Sequence, residues 1–121
     1  MPIKKILIVD DSPTDRQFLL EVLAKQGYAC VTAQNGEEGI AKSKSELPDL
    51  ILMDIIMPGI DGFKATRTIT HDEATKHIPV IVCTSKNLET DKIWGMRQGA
   101  KDYVVKPIDA QQLIAKIVAL G

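Results

Sequence analysis

The chain has 121 residues, a formal net charge of −1 and 45 % hydrophobic residues, which suits one compact domain with one core. A balance so close to neutral argues against a general binder of nucleic acid or membrane surfaces. No apolar run approaches the roughly 20 residues of a spanning helix, and Met1-Pro2-Ile3-Lys4-Lys5 enters the first strand almost at once, leaving no room for a secretion signal and predicting a cytoplasmic location.

In chain order, short apolar runs alternate with longer amphipathic ones. KILIV (5–9) is continuous and β-branched, the pattern of a fully buried strand. SPTDRQFLLEVLAKQG predicts a helix: Ser12 can cap it, Pro13 fits its first position, Gly27 stops it, and Phe18, Leu19, Val22 and Leu23 line one face. YACVTA is a second strand and NGEEGIAKSKSE a more polar helix. DLILM (49–53) is a third strand, MPGIDG a loop and FKATRTIT a short helix. PVIVC (79–83) is a fourth strand. SKNLETD is a polar loop, and about Glu89 to Gln98 a helix ended by Gly99. DYVV (102–105) is a fifth strand, and QQLIAKIVAL a last helix striped by Leu113, Ile114, Ile117 and Val118. Five βα units in a row predict a parallel sheet with helices on both faces. With no linker, and with the last helix running to Gly121, the expectation is a single domain over 1–121 without an output module.

Cys30 and Cys83 stand in apolar stretches without metal-ligand spacing, which predicts buried small hydrophobes. His71 and His77 stand apart in polar sequence and read as surface residues.

The charged residues fall at strand ends. Asp10 and Asp11 follow strand one, Asp54 follows strand three, Thr84 and Ser85 follow strand four, and Lys106 follows strand five. Parallel strands send all of them to one carboxyl edge. Open α/β sheets bind ligands at that edge where the strand order reverses, a rule drawn in part from small sheets of this kind. Each position has a plainer reading. Asp10-Asp11-Ser12-Pro13 could be only a helix N-terminus, which welcomes Ser and acids, though that leaves one of the two acids without a reason. Lys106 could be a surface lysine, and Thr is common at strand ends. Asp54 is harder to dismiss, because Leu52, Met53, Ile55 and Ile56 predict a dry surrounding in which an unpaired carboxylate is costly.

Three carboxylates within about 4 Å make three repelling pairs of roughly 4 kcal/mol each at an effective dielectric near 20. Their sum, on the order of 10 kcal/mol, rivals the whole stability of a domain. One lysine cannot cancel it; a divalent cation can. Hard oxygen donors without imidazole or thiolate favour Mg²⁺, or Mn²⁺, over zinc. Mg²⁺ leaves places for phosphate oxygens, so the pattern predicts a Mg²⁺ site that accepts a phosphoryl group.

The acid pair, MDIIMPGIDG around Asp54, Thr84-Ser85 and GAKDYVVKP, in that order, resemble the receiver domain of two-component response regulators, the CheY-like family, over essentially the whole chain. MDIIMPGIDGFKATR and ETDKIWGMRQGAKDY look most like the stand-alone receivers of chemosensory systems that control type IV pili and twitching motility. The resemblance implies a (βα)5 doubly wound sheet in the flavodoxin-like order 2-1-3-4-5. It implies that Asp54 takes phosphate from the phosphohistidine of a CheA-like histidine kinase or a histidine phosphotransfer domain. Asp11, Asp54 and the Ile56 carbonyl would hold Mg²⁺, with Asp10 acting through a metal-bound water. Lys106 and the Thr84 hydroxyl would meet the phosphoryl oxygens. Tyr103 would be the aromatic that turns on activation, and Pro107 would aim Lys106 through its peptide bond, cis in one reading. Ser85 belongs to the responding loop, and Trp94 is a candidate contact on the α4–β5–α5 face offered to a downstream motility protein. Ile56 and Lys86 stand where such domains tune phosphate lifetime. No nucleic acid, no membrane insertion and a monomer or weak dimer are expected.

Competing readings have different requirements. A flavodoxin-type cofactor binder needs hydroxyls and amides in its first loop, not two acids. An aspartyl phosphohydrolase usually carries Asp-x-Asp and a substrate cap. A non-phosphorylated pseudo-receiver that only docks would lack some essential site residue, and none is missing here.

Overall fold

The computed structural model describes residues 2–85 and 89–121, with residues 89–91 described by their backbone. The order is β1 (Lys5–Val9), α1 (Pro13–Lys25), β2 (Ala29–Ala33), α2 (Gly36–Glu46), β3 (Leu50–Asp54), α3 (Gly62–His71), β4 (Val80–Thr84), α4 (Glu89–Arg97), β5 (Asp102–Val105) and α5 (Ala110–Leu120). All pairings are parallel and the sheet order is β2-β1-β3-β4-β5, the flavodoxin-like order the sequence implied.

Alternation along the strands divides the core into two layers. Ile6, Ile8, Leu50, Leu52, Ile81, Cys83 and Val104 face one way, against Leu19 and Leu23 of α1 and Leu113 and Ile117 of α5. Leu7, Val9, Ile51, Met53, Val80 and Val82 face the other way, against Ile40 of α2 and Phe63, Ala65 and Ile69 of α3. On that second face α4 also comes close: a Cβ at Gly95 would lie 3.1 Å from Val82 Cγ2. Because both faces are covered, β3 and β4 are buried at every position.

Helix ends follow local chemistry. Ser12, Asn35, Asp61 and Asp109 cap α1, α2, α3 and α5, each side chain accepting an orphan backbone N–H. Gly27 leaves α1 at φ +86, as its place after the periodic stretch predicts. Three expectations shift. Asp54 and Thr84 are the last residues of β3 and β4 rather than the first residues beyond them. Phe18 and Val118 are exposed, at 41 % and 64 %, because α1 and α5 share one face of the sheet and only the centre of each apolar stripe meets it. Cys30 is half-buried on the edge strand β2, whereas Cys83 is buried. His71 and His77 are exposed. The predicted loop 86–88, with Lys86, lies outside the described residues. No helix among the described residues is long and apolar enough to cross a membrane.

Candidate functional site

Register brings the site together. Val9 pairs with Met53, Asp54 with Cys83, and Thr84 with Val105, so β1, β3, β4 and β5 end along one rim. The next residues on β1 are Asp10 and Asp11, and the next on β5 is Lys106. Oxygens of Asp10, Asp11 and Asp54 lie within 4.8 Å of one another. Asp10 is 1 % exposed and Asp54 6 %, while Asp11 is open to solvent. The rim lies at β1 and β3, where the chain's direction of winding reverses.

Among the described residues, Lys106 is the cation paired with the carboxylates of this rim. Its backbone N–H donates to the Thr84 carbonyl at 2.6 Å. Its ammonium stands 2.9 Å from Asp10 Oδ2, 3.0 Å from Asp15 Oδ2 and 3.3 Å from Asp54 Oδ1. The Lys106–Pro107 bond is cis. Asp10 also accepts from the Ser12 N–H at 2.9 Å, and its carbonyl accepts from Arg16 Nη1 at 2.7 Å. Sequence reasoning missed Asp15. The available signal was its place in the first turn of α1, which leaves the same rim and points side chains back toward it.

Electrostatics follow from this crowding. Burial first, and then the Asp10 carboxylate, push Asp54 up to about 7, against the pull of Lys106. For Lys106, burial favours loss of its proton, but hydrogen bonds to Asp10 and Asp15 and the field of Asp54 outweigh it and raise its affinity for the proton. Burial pushes the neighbouring Cys83 thiol up to about 12, which leaves it an inert hydrophobe.

The loop after β3 is held tightly. Gly62 donates its N–H to the Ile55 carbonyl, and a Cβ on Gly62 would lie 2.0 Å from the Asp54 carbonyl oxygen. Only glycine lets α3 begin so close to β3. Ile56 is 56 % exposed. Leu52, Met53 and Ile55 are buried, so Asp54 has dry neighbours on both sides, and of the four apolar residues that flank it only Ile56 turns outward.

Of the remaining sequence candidates, Thr84 ends β4 at the rim and Ser85 follows it, whereas Tyr103 lies within β5 and Trp94 within α4. Thr84 is buried and Ser85 exposed. Tyr103 is half-buried, with Lys92 Nζ 4.9 Å and Lys116 Nζ 5.1 Å from its ring centre. Lys116 is also paired with Asp102 at 2.8 Å. Trp94 is half-exposed and meets Phe63 edge to face at 6.5 Å. Tyr103 and Trp94 are thus not part of the acid cluster.

Three converging carboxylates with a half-buried lysine beside them have the donor set of a hard divalent cation beside an anion acceptor. The family described as response regulator receiver domain matches residues 6–118, and the chain belongs to that family: it is a signalling domain of two-component systems. Receiver domains bind Mg²⁺ in their acidic pocket and are phosphorylated by histidine kinases. The chain is 52 % identical over 116 residues to Protein PilH of Pseudomonas aeruginosa, covering 96 % of each. Its structure is similar to chemotaxis protein CheY4 of Vibrio cholerae, with TM-score 0.92 and 29 % identity over 98 % of this chain and 99 % of that one. It is also similar to the receiver domain of a Pseudomonas aeruginosa sensor histidine kinase solved with a magnesium ion in its active-site cleft. That match has TM-score 0.89 and 28 % identity over 97 % of this chain and 96 % of the other.

Proposed function

We propose that Asp54 accepts a phosphoryl group from the phosphohistidine of a histidine kinase or phosphotransfer domain. The observation that carries this reading is the position of Asp54: a buried carboxylate 3.3 Å from Lys106 and clustered with Asp10 and Asp11. An Asp54 oxygen forms the new bond to phosphorus as the N–P bond breaks; the electron pair returns to the imidazole, which takes a proton from solvent. Such transfer asks mainly for positioning and charge compensation. Asp11, Asp54 and the Ile56 carbonyl are the residues that would hold Mg²⁺, or Mn²⁺, with Asp10 behind them. The bound cation would neutralise oxygens of the incoming group. Lys106 turns an N–H toward the phosphoryl oxygens, and the Thr84 hydroxyl meets another.

The product adds charge at the rim. Movement of Thr84 and Ser85 toward it alters the start of the following loop, and Tyr103 turns between Lys92 and Lys116. The α4–β5–α5 face around Trp94 then changes its fit for a partner. The likeness to Protein PilH supports a cytoplasmic, stand-alone regulator that serves pilus-based motility or drains phosphate from a shared kinase. The exposed Ile56 side chain cannot orient an attacking water, so Ile56→Asn is expected to lose phosphate faster than the wild type; equal or slower loss contradicts this.

The test is incubation with acetyl phosphate and Mg²⁺, followed by intact mass and peptide mapping. One added phosphoryl group on the Asp54 peptide, absent from Asp54→Asn, is the expected result. No adduct, or one on another residue, overturns the reading.

A further inference from the structure

Lys106 is shared among more acids than phosphoryl transfer calls for. Its ammonium donates to Asp10 at 2.9 Å and to Asp15 at 3.0 Å and stands 3.3 Å from Asp54 as an ion pair, so two of its three N–H groups are already committed. A phosphoryl group on Asp54 that draws more than one N–H must take it from a present partner. The three differ in what release costs. Asp10 is buried, and leaving it without Lys106 strands a desolvated charge. Asp54 carries the new group and stays beside the lysine. Asp15 is 45 % exposed and borders an open cleft of about 280 Å³ that also touches Phe18, Pro107 and Ile108. Water can replace the ammonium there at little cost.

We propose that Asp15 is a positioning residue that acts through Lys106: it holds one of the ammonium's N–H groups in the resting state and gives it up when the phosphoryl group arrives. This rests on the phosphoryl-acceptor reading of Asp54. Asp15 is well fixed for the task. Its backbone N–H donates to Ser12 Oγ at 3.2 Å, and the Ser12 N–H donates to Asp10, so one capping residue aligns both acids on the same lysine. Its negative charge opposes an incoming anion and favours a cation. Removing that charge while keeping the side-chain shape must move the two affinities in opposite directions. A purely structural role in capping α1 would weaken both together.

The experiment compares the wild-type chain with Asp15→Asn, Asp15→Glu and the control Glu21→Gln, which removes the same charge from an exposed position on α1 paired with Gln17. Mg²⁺ affinity is measured by titration, and beryllofluoride affinity at saturating Mg²⁺. NMR of the Lys106 ammonium in metal-free protein reports the pairing itself. For Asp15→Asn the expectation is beryllofluoride bound about threefold more tightly and Mg²⁺ about threefold more weakly. The ammonium protons should also exchange faster with water. Asp15→Glu restores wild-type Mg²⁺ affinity, and Glu21→Gln changes neither affinity. Both affinities falling together in Asp15→Asn, or an unchanged ammonium signal, overturns the role of Asp15 and leaves Asp54 as acceptor. A wild-type chain that binds neither probe overturns both.

Discussion

The two rims of the sheet use the same side chains to opposite effect. At the amino rim, Lys5 pairs with Glu46 at 2.8 Å, one cation to one acid and both partly exposed. Asp49 accepts the backbone N–H groups of Lys4 and Lys5 at 2.9 and 3.0 Å. These contacts hold both carboxyls below their usual range: for Glu46 the Lys5 hydrogen bond and charge, for Asp49 the two backbone donors. At the carboxyl rim one lysine serves three acids, two of them buried, and Asp54 is pushed the other way, to about 7. The amino rim is complete in itself. Among the described residues, the carboxylates around Lys106 carry more negative charge than that lysine can balance, which is how a fold keeps a place for a cation and an anion.

The sharpest way to break this contrast is steric. Gly62→Ala forces a methyl group against the Asp54 carbonyl oxygen, so it is expected to cost about 3 kcal/mol in urea unfolding and to abolish Mg²⁺ binding. At the amino rim, Gly27 has open space around its missing Cβ. Gly27→Ala pays only for the left-handed backbone, about 1 kcal/mol. Equal costs would mean that α3 does not depend on close approach to β3.

Charge removal comes next. Breaking a buried ion pair normally costs about 3–5 kcal/mol, but Asp54 can take up a proton instead. Lys106→Met is therefore expected to lose about 2 kcal/mol at pH 8 and less at pH 5. Lys5→Met should lose under about 1 kcal/mol. Denaturant midpoints at both pH values separate the two.

The third effect is a gain. Asp54 has a higher pKa folded than unfolded, so the fold disfavours its charged form. That penalty is absent below the unfolded value of 3.8, grows as pH rises toward 7 and is fully present above it. In chelator, Asp54→Asn should be more stable than the wild type by about 1–2 kcal/mol at pH 8 and no more stable at pH 4. Added Mg²⁺ should stabilise the wild type and not the variant. A stability difference independent of pH contradicts the charge explanation.

Much of this site was legible because strand ends are legible. Asp10, Asp11 and Lys106 each sit where an apolar run stops, Asp54 is the lone charge inside one, and parallel strands stop on one side. Asp15 was not, because an acid in the first turn of a helix is ordinary there, and only the path of α1 off the rim turns it toward Lys106. Ile56 reads as part of the apolar run through Asp54, but the strand ends between them and the side chain turns outward. Phe18 and Val118 have the period of core residues, yet the width of a buried stripe is set by how much sheet each helix covers, which periodicity does not contain. Glycine shows the same limit: Gly27 is foreseeable as a helix stop, whereas the need for Gly62 lies in the nearness of a carbonyl from another element.

The most direct measurement is a carboxyl ¹³C NMR titration of the metal-free protein, following Asp54 and Glu46 together and then repeated with Mg²⁺. The account predicts Asp54 titrating near 7 and Glu46 below the usual glutamate range, with Mg²⁺ driving the Asp54 midpoint down and leaving Glu46 in place. Two ordinary midpoints, or an Asp54 signal indifferent to Mg²⁺, would contradict it.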